Sequence, residues 1–128
     1  PINRLLVKFV RDFSNPVIEK RVNAIRSIGS LFESCLDSGP SDGSSEVIAV
    51  LLDCLNDYTI DARGDIGSWV RLAAMECLAS LGVRSLLSAD QLCAFRGKLV
   101  RHVFDKLDRL RKRALLLLNW PINLTELS

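Results

Sequence analysis

The chain is poor in the side chains that most chemistry needs. Its 128 residues hold one histidine, one methionine and one tyrosine, and aromatics make up 6% of the total. The single histidine, His102, has no cysteine or carboxylate at a catalytic spacing, so an ordinary, partly exposed histidine is expected there. The four cysteines, Cys35, Cys54, Cys77 and Cys93, lie far apart without a Cys-x-x-Cys pair. That spacing argues against a disulfide framework or a zinc site. Buried free thiols in a reducing compartment are the better expectation. Gly64 and Gly67 flank Asp65 but lack the lysine and second half of a phosphate loop. With no triad, metal set or phosphate loop to assemble, neither an enzyme nor a cofactor is expected.

Other absences bound the architecture. No segment alternates polar and apolar residues over a useful length, so no strands are expected. No run approaches the roughly 20 apolar residues of a membrane span, and no signal peptide is visible. A net charge of +2 is too small to argue for nucleic acid or membrane by itself. The chain is 48% hydrophobic with a mean hydropathy of +0.20, which is high for so small a monomer. Some of that excess is expected to face a neighbour. The chain opens on Pro1 and enters an apolar helical pattern at once, so we expect a piece of a longer protein.

Apolar residues at spacings of three and four mark a series of helices. Leu5, Leu6, Phe9, Val10 and Phe13 mark one over Ile2 to Phe13, and Pro16 opens a second from about Val17 to Cys35. A third runs from Glu46 to Leu55, and a fourth from about Ser68 to Leu81. Asp65 or Ser68 can cap the fourth, and Gly82 stands where a left-handed cap residue is wanted. Asp90 is placed to cap the next, and the helical pattern continues to Asn119 with a break near Lys106 to Asp108. Pro121 ends it.

The helices repeat. Asp12, Asp65 and Asp105 each stand five residues before an apolar helix position, at Val17, Val70 and Leu110. The separations are 53 and 40 residues, and removing about ten residues of linker brings the first near the second. A period near 40 with two helices per unit is the HEAT or armadillo signature. The expected fold is therefore all-α, a HEAT/armadillo-like α-solenoid fragment of antiparallel helix pairs. Its single helical-repeat segment, 1–128, has units at about 1–36, 46–83 and 89–119 and a linker at 37–45. The pattern Asp-x4-Val-Arg-x2-Ala is complete in the middle unit as Asp65, Val70, Arg71 and Ala74, and reads Asp105, Leu110, Arg111 and Ala114 in the third. The first unit departs from it, with Ile18 and Arg21 at the arginine and alanine positions. By likeness to HEAT arrays, Asp65, Arg71, Asp105 and Arg111 are candidates for pairing between units. Trp69 is a candidate packing anchor. A plain helix cap and a solvated cation remain the alternative for Asp65 and Arg71. Removing either is expected to lower stability by about 1–2 kcal/mol.

One stretch carries a more specific likeness. Asn56-Asp-Tyr-Thr-Ile-Asp-Ala-Arg-Gly-Asp-Ile-Gly-Ser-Trp-Val-Arg-x2-Ala-Met, followed by Asp105-Lys-Leu-Asp-Arg-Leu-Arg-x2-Ala114, resembles the C-terminal HEAT-repeat region of the tubulin-folding cofactor D (tubulin-specific chaperone D) family. Leu107 and Leu110 are mild departures, and the first 45 residues match only as generic HEAT helices. The resemblance implies a large cytoplasmic, cytoskeleton-associated solenoid. Such a solenoid binds β-tubulin, helps assemble and disassemble the αβ-tubulin heterodimer, and works with the other tubulin-folding cofactors and a small Arf-like GTPase. It also implies a contribution to GTP hydrolysis by tubulin within the cofactor assembly.

Two surfaces could meet a partner. One is the loop with Tyr58 and Arg63, where Arg63-Gly64-Asp65 is read as a tight turn before a helix and not as an integrin signal. The other is the basic cluster of Lys98, Arg101, Lys106, Arg109, Lys112 and Arg113. It suits an acidic protein surface, RNA or a nuclear signal, or it is simply a solvated helix face. A generic HEAT adaptor that binds nucleic acid or another acidic partner through this helix is the competing reading. The sequon at Asn123 carries no weight in a cytosolic protein.

Overall fold

The computed structural model describes Asp12 and residues 15–34, 44–84 and 86–119. The helix expected over Ile2 to Phe13 lies outside the described residues, Asp12 apart. So do Cys35, most of the linker, Trp120, Pro121 and the sequon. Five helices have their bounds among the described residues: α1 (Ile18–Ser34), α2 (Ser44–Cys54), α3 (Gly67–Val83), α4 (Ala89–His102) and α5 (Asp108–Leu118). The fold is all-α apart from one small hairpin.

Each helix buries residues three and four apart. In α1 these are Ile18, Val22, Ile25 and Ile28, in α4 Phe95 and Leu99, and in α5 Leu110, Ala114 and Leu117. The second helix adds Val47, Ile48 and Leu51. The third differs, because Val70, Arg71, Ala74, Met75, Cys77, Leu78, Ala79 and Leu81 bury most of its circumference. The reason is its position. Helix α3 packs on α1, α2 and α5, while α4 packs on α5 and α2. One layer therefore runs α1–α3–α5, and a second runs α2–α4. Small residues let the first layer close up; a Cβ on Gly29 of α1 would lie 3.6 Å from the Cys77 sulfur of α3.

The helix ends correct several expectations. The hairpin contradicts the absence of strands: Ile60–Asp61 pairs antiparallel with Gly64–Asp65. Strands of two residues leave no periodic trace in a sequence. The Asp61 carboxylate accepts the Arg63 N–H at 2.7 Å, and Gly64 takes φ +107°, a left-handed conformation that suits glycine. Gly82 is not a left-handed cap. The helix runs through it to Val83, and the N–H groups of Arg84 and Leu86 close the end on the carbonyls of Ser80 and Leu81. Ser88, not Asp90, caps α4. Its hydroxyl accepts the Gln91 N–H at 3.1 Å, and the Gln91 side chain accepts the Ser88 N–H at 2.7 Å, a reciprocal capping box.

His102 is also corrected. It is 1% exposed, and its ring nitrogens lie 2.7 Å from the Lys98 carbonyl and 2.9 Å from the Leu55 carbonyl. The ring so ties the end of α4 to the residue just past α2. Cys54 and Cys77 are buried free thiols, and desolvation pushes both up to about 12. Cys93 is free but exposed, because α4 turns its other side, with Phe95 and Leu99, to the core. In a Cys35→Ser background, a thiol reagent at neutral pH should label one group, Cys93, in the native chain. Cys54 and Cys77 should follow only after denaturation. Native labelling of all three would contradict this packing.

Candidate functional site

The site is built around one buried charge. Arg71 sits one turn into α3 and is 0% exposed. A guanidinium taken out of water carries a large desolvation penalty unless its donors are bonded and its charge is matched. The chain meets that demand from three directions. Asp65, just before α3, takes bonds of 2.8 and 3.1 Å from the two terminal nitrogens of Arg71. The Asp57 carbonyl accepts a third at 2.8 Å. Asp105, in the α4–α5 connection, approaches at 3.4 Å with its side chain 4% exposed. The Tyr58 ring lies over the guanidinium, 4.1 Å from carbon to centroid, so the cation meets an aromatic face on that side. Burial works against the charge of Arg71, but the Asp65 bond and the Asp105 and Asp65 carboxylates outweigh it and raise its pKa. The Arg71 Nε has no partner.

The elaborate loop before α3 delivers these groups. Asp57 holds itself in place through bonds from Thr59, 3.1 Å to the N–H and 2.6 Å to the hydroxyl. The hairpin then returns the chain so that the Gly67 N–H reaches the Thr59 carbonyl at 2.9 Å. A Cβ on Gly67 would lie 2.4 Å from the Asp57 carbonyl oxygen and 2.5 Å from the Thr59 nitrogen, so only glycine fits. Asp65 also accepts the Ser68 N–H at 3.2 Å, and so caps α3 while holding Arg71.

Charged pairs join the successive sequence units. Between the first and second, Arg21 bonds Asp57, and Arg63 bonds Glu19 at 2.5 Å. Between the second and third, Arg71 faces Asp105, and Arg113 bonds Glu76 through two nitrogens. Arg21 stands where the repeat pattern places alanine, yet it is this residue that reaches the next loop from α1. Sequence reasoning missed that pair, the Tyr58 stack and the Leu55–His102 tie. The charge of Arg21 inside an otherwise apolar stripe was the available signal. Asp12, the first of the repeated aspartates, is half-buried, and its carbonyl accepts the Asn15 N–H at 3.1 Å.

The other candidates separate. Val70 is wholly buried. Arg111 bonds Asp108 and the Asp105 carbonyl, the latter at 3.2 Å, so it braces the α4–α5 connection from within its own unit. Trp69 is 42% exposed and is not a buried anchor; Arg63 lies over its ring at 5.0 Å. Arg63 is itself held by Asp61 and Glu19, whose hydrogen bonds raise its pKa and lower theirs. The basic cluster is partly engaged within the chain. Lys112 pairs with Asp108 at 3.0 Å and Arg113 is held by Glu76. That leaves Lys98, Arg101, Lys106 and Arg109 without an ion pair among the described residues.

Over 75 residues, 56% of this chain, the sequence is 36% identical to tubulin-folding cofactor D of Schizosaccharomyces pombe. The chain spans 7% of that relative's length. The likeness supports the cofactor D family. No family model matches the chain, and no solved structure matches it. Among the described residues no helix is long and apolar enough to cross a membrane, and no three His, Cys, Asp or Glu side chains cluster as a metal site would need.

Two outcomes follow from the buried charge. Arg71→Ala leaves Asp105 buried without its partner, so the expected loss is about 3–5 kcal/mol, larger than the cap-sized value expected from sequence. Arg71→Lys should recover little of it, because an ammonium cannot fork between Asp65, Asp105 and the Asp57 carbonyl. Chemical denaturation of the three proteins checks both. The second outcome concerns acid. Bonds from Arg71 hold the Asp65 pKa below the usual carboxylate value. Its contribution is therefore complete above about pH 4 and fades as pH falls through that value and then through its own lower pKa. A melting-temperature series from pH 6 to pH 2 should fall more gently for Asp65→Asn than for the natural chain. Parallel curves would refute that link.

Proposed function

We propose that this chain is a protein-interaction scaffold segment of a tubulin-folding cofactor of the D type, drawn from its C-terminal HEAT-repeat region. The observation that carries the reading is the 36% identity over 75 residues to tubulin-folding cofactor D. The two helical layers, with charged pairs between successive units, support it, as does an apolar end. Val100 and Phe104 at α4 and Leu115 and Leu116 on α5 are exposed, Phe104 at 82%. A repeat array that stopped there would want a polar outer face. A further helical unit packed on α4 and α5 is the natural cover.

In this reading the segment has no chemistry of its own and takes no cofactor. It serves a larger cytoplasmic, cytoskeleton-associated protein. That protein binds β-tubulin, works with the other tubulin-folding cofactors and a small Arf-like GTPase, and helps activate tubulin GTP hydrolysis in the assembly. The competing adaptor, which would use the basic helix for nucleic acid, is weakened because Arg111, Lys112 and Arg113 are already engaged by Asp108 and Glu76. A pull-down with the full-length protein tests the choice. Retention of β-tubulin, with little RNA at moderate salt, is expected. No tubulin, together with RNA binding that falls steeply with salt, would overturn the reading.

A further inference from the structure

A groove of about 550 Å³ opens between α1 and α3. Its lining is mixed: Ile25, Leu72, Ala73 and Cys77 supply the apolar side chains of its floor, and Ser30 and Ser80 stand among them. Its volume falls in the range of sites that hold a small ligand or a short peptide. Two guanidiniums line it, Arg26 from α1 and Arg109 from the first turn of α5, and neither has an ion pair or hydrogen-bond partner among the described residues. The carboxylate that lines it, Glu76, is already bound by both Nε and Nη2 of Arg113, so its charge is matched from outside the groove. Trp69 completes the lining at 42% exposure. Its ring is not loose. Arg63 covers one face, and Arg63 is fixed in turn by Asp61 at 2.9 Å and Glu19 at 2.5 Å.

We propose that this groove docks a short acidic segment of a partner protein, one that places an aliphatic side chain on the floor and carboxylates on Arg26 and Arg109. Charge complementarity selects that occupant. Elsewhere in the same layer arginines are paired across the unit junctions, as Arg21, Arg63, Arg71 and Arg113 are. The two left unmatched, both exposed, line one trough of mixed apolar and polar surface. Guanidinium forks bind carboxylates in a fixed, two-bond geometry, and a pre-positioned tryptophan is a common centre of binding energy. The inference goes beyond the proposed function and does not depend on who the partner is.

The test uses the 128-residue chain with Trp120→Phe, so that Trp69 is the one tryptophan. The probe is a capped pentapeptide of four glutamates around a central leucine. Two controls replace the glutamates by glutamines, or the leucine by alanine. Saturable change in Trp69 emission is expected with the acidic leucine peptide, and about tenfold weaker binding with each control. Arg26→Glu and Arg109→Glu should each weaken it about tenfold, whereas Arg101→Glu on α4 should not. Circular dichroism checks the fold of each variant, and Arg26→Glu carries the test if Arg109→Glu is perturbed. Binding that survives both reversals, or that Arg101→Glu weakens equally, overturns the proposal. So does a concentration-dependent dimer that Trp69→Ala abolishes, since the groove would then hold a second copy. Tubulin capture by the full-length protein is a separate readout, so either reading can fail without the other.

Discussion

The constraint on which the rest depends is a guanidinium with no access to water. Arg71 occupies a position on α3 that faces three packed neighbours, where the other residues are alanine, leucine and methionine. An unmatched cation there would be worth several kcal/mol against folding. The loop from Asn56 to Gly67 is shaped by that need. A plain turn could join α2 to α3 in far fewer residues. It could not also bring a carbonyl from Asp57, a carboxylate from Asp65 and a ring from Tyr58 to one point. The hairpin, the left-handed Gly64 and the Cβ-free Gly67 are what such a wrapping requires of the backbone. The length of the loop is thus explained by what it encloses.

The same charge links one unit to the next. Asp105 belongs to the connection that opens α5, so the buried charge of Arg71, held by Asp65 and the Asp57 carbonyl, also meets a carboxylate from beyond α4. Arg21 and Asp57 stand in a similar relation one junction earlier, although both are shifted from the repeat register. An acid and an arginine then close each junction a second time, Glu19 with Arg63 and Glu76 with Arg113. These outer pairs are partly exposed and contribute little each. The inner pairs matter more because a missing partner leaves a buried charge behind. Stability is then shared across junctions and does not reside in any one helix pair.

What could be read from the sequence follows the same division. The helices were legible because apolar spacing of three and four records burial on one side, and that record survives in α1, α4 and α5. The charged register around Asp65 and Arg71 was legible because it recurs at Asp105 and Arg111. Asp65 meets Arg71 within a unit, and Asp105 meets it from the next. The hairpin was hidden by its shortness. Tyr58 and His102 were hidden because their partners, a cation and two carbonyls, are distant or lie in the backbone. Gly82 misled because glycine beyond an apolar run is ambiguous between a cap and a close packing contact. The helix runs through it to Val83, so it is not the cap.

The distribution of unmatched polarity separates the faces of the molecule. Arg21, Arg63, Arg71 and Arg113 are each answered by a carboxylate from another part of the chain. At α4 and α5 the exposed apolar side chains Val100, Leu115 and Leu116, with the nearby Phe104, stand among charged residues. The groove between α1 and α3 differs from both. Its lining mixes apolar and polar groups, its carboxylate is bound by Arg113, and its arginines are left over. A bound segment carrying negative charge, as proposed above, would match those arginines.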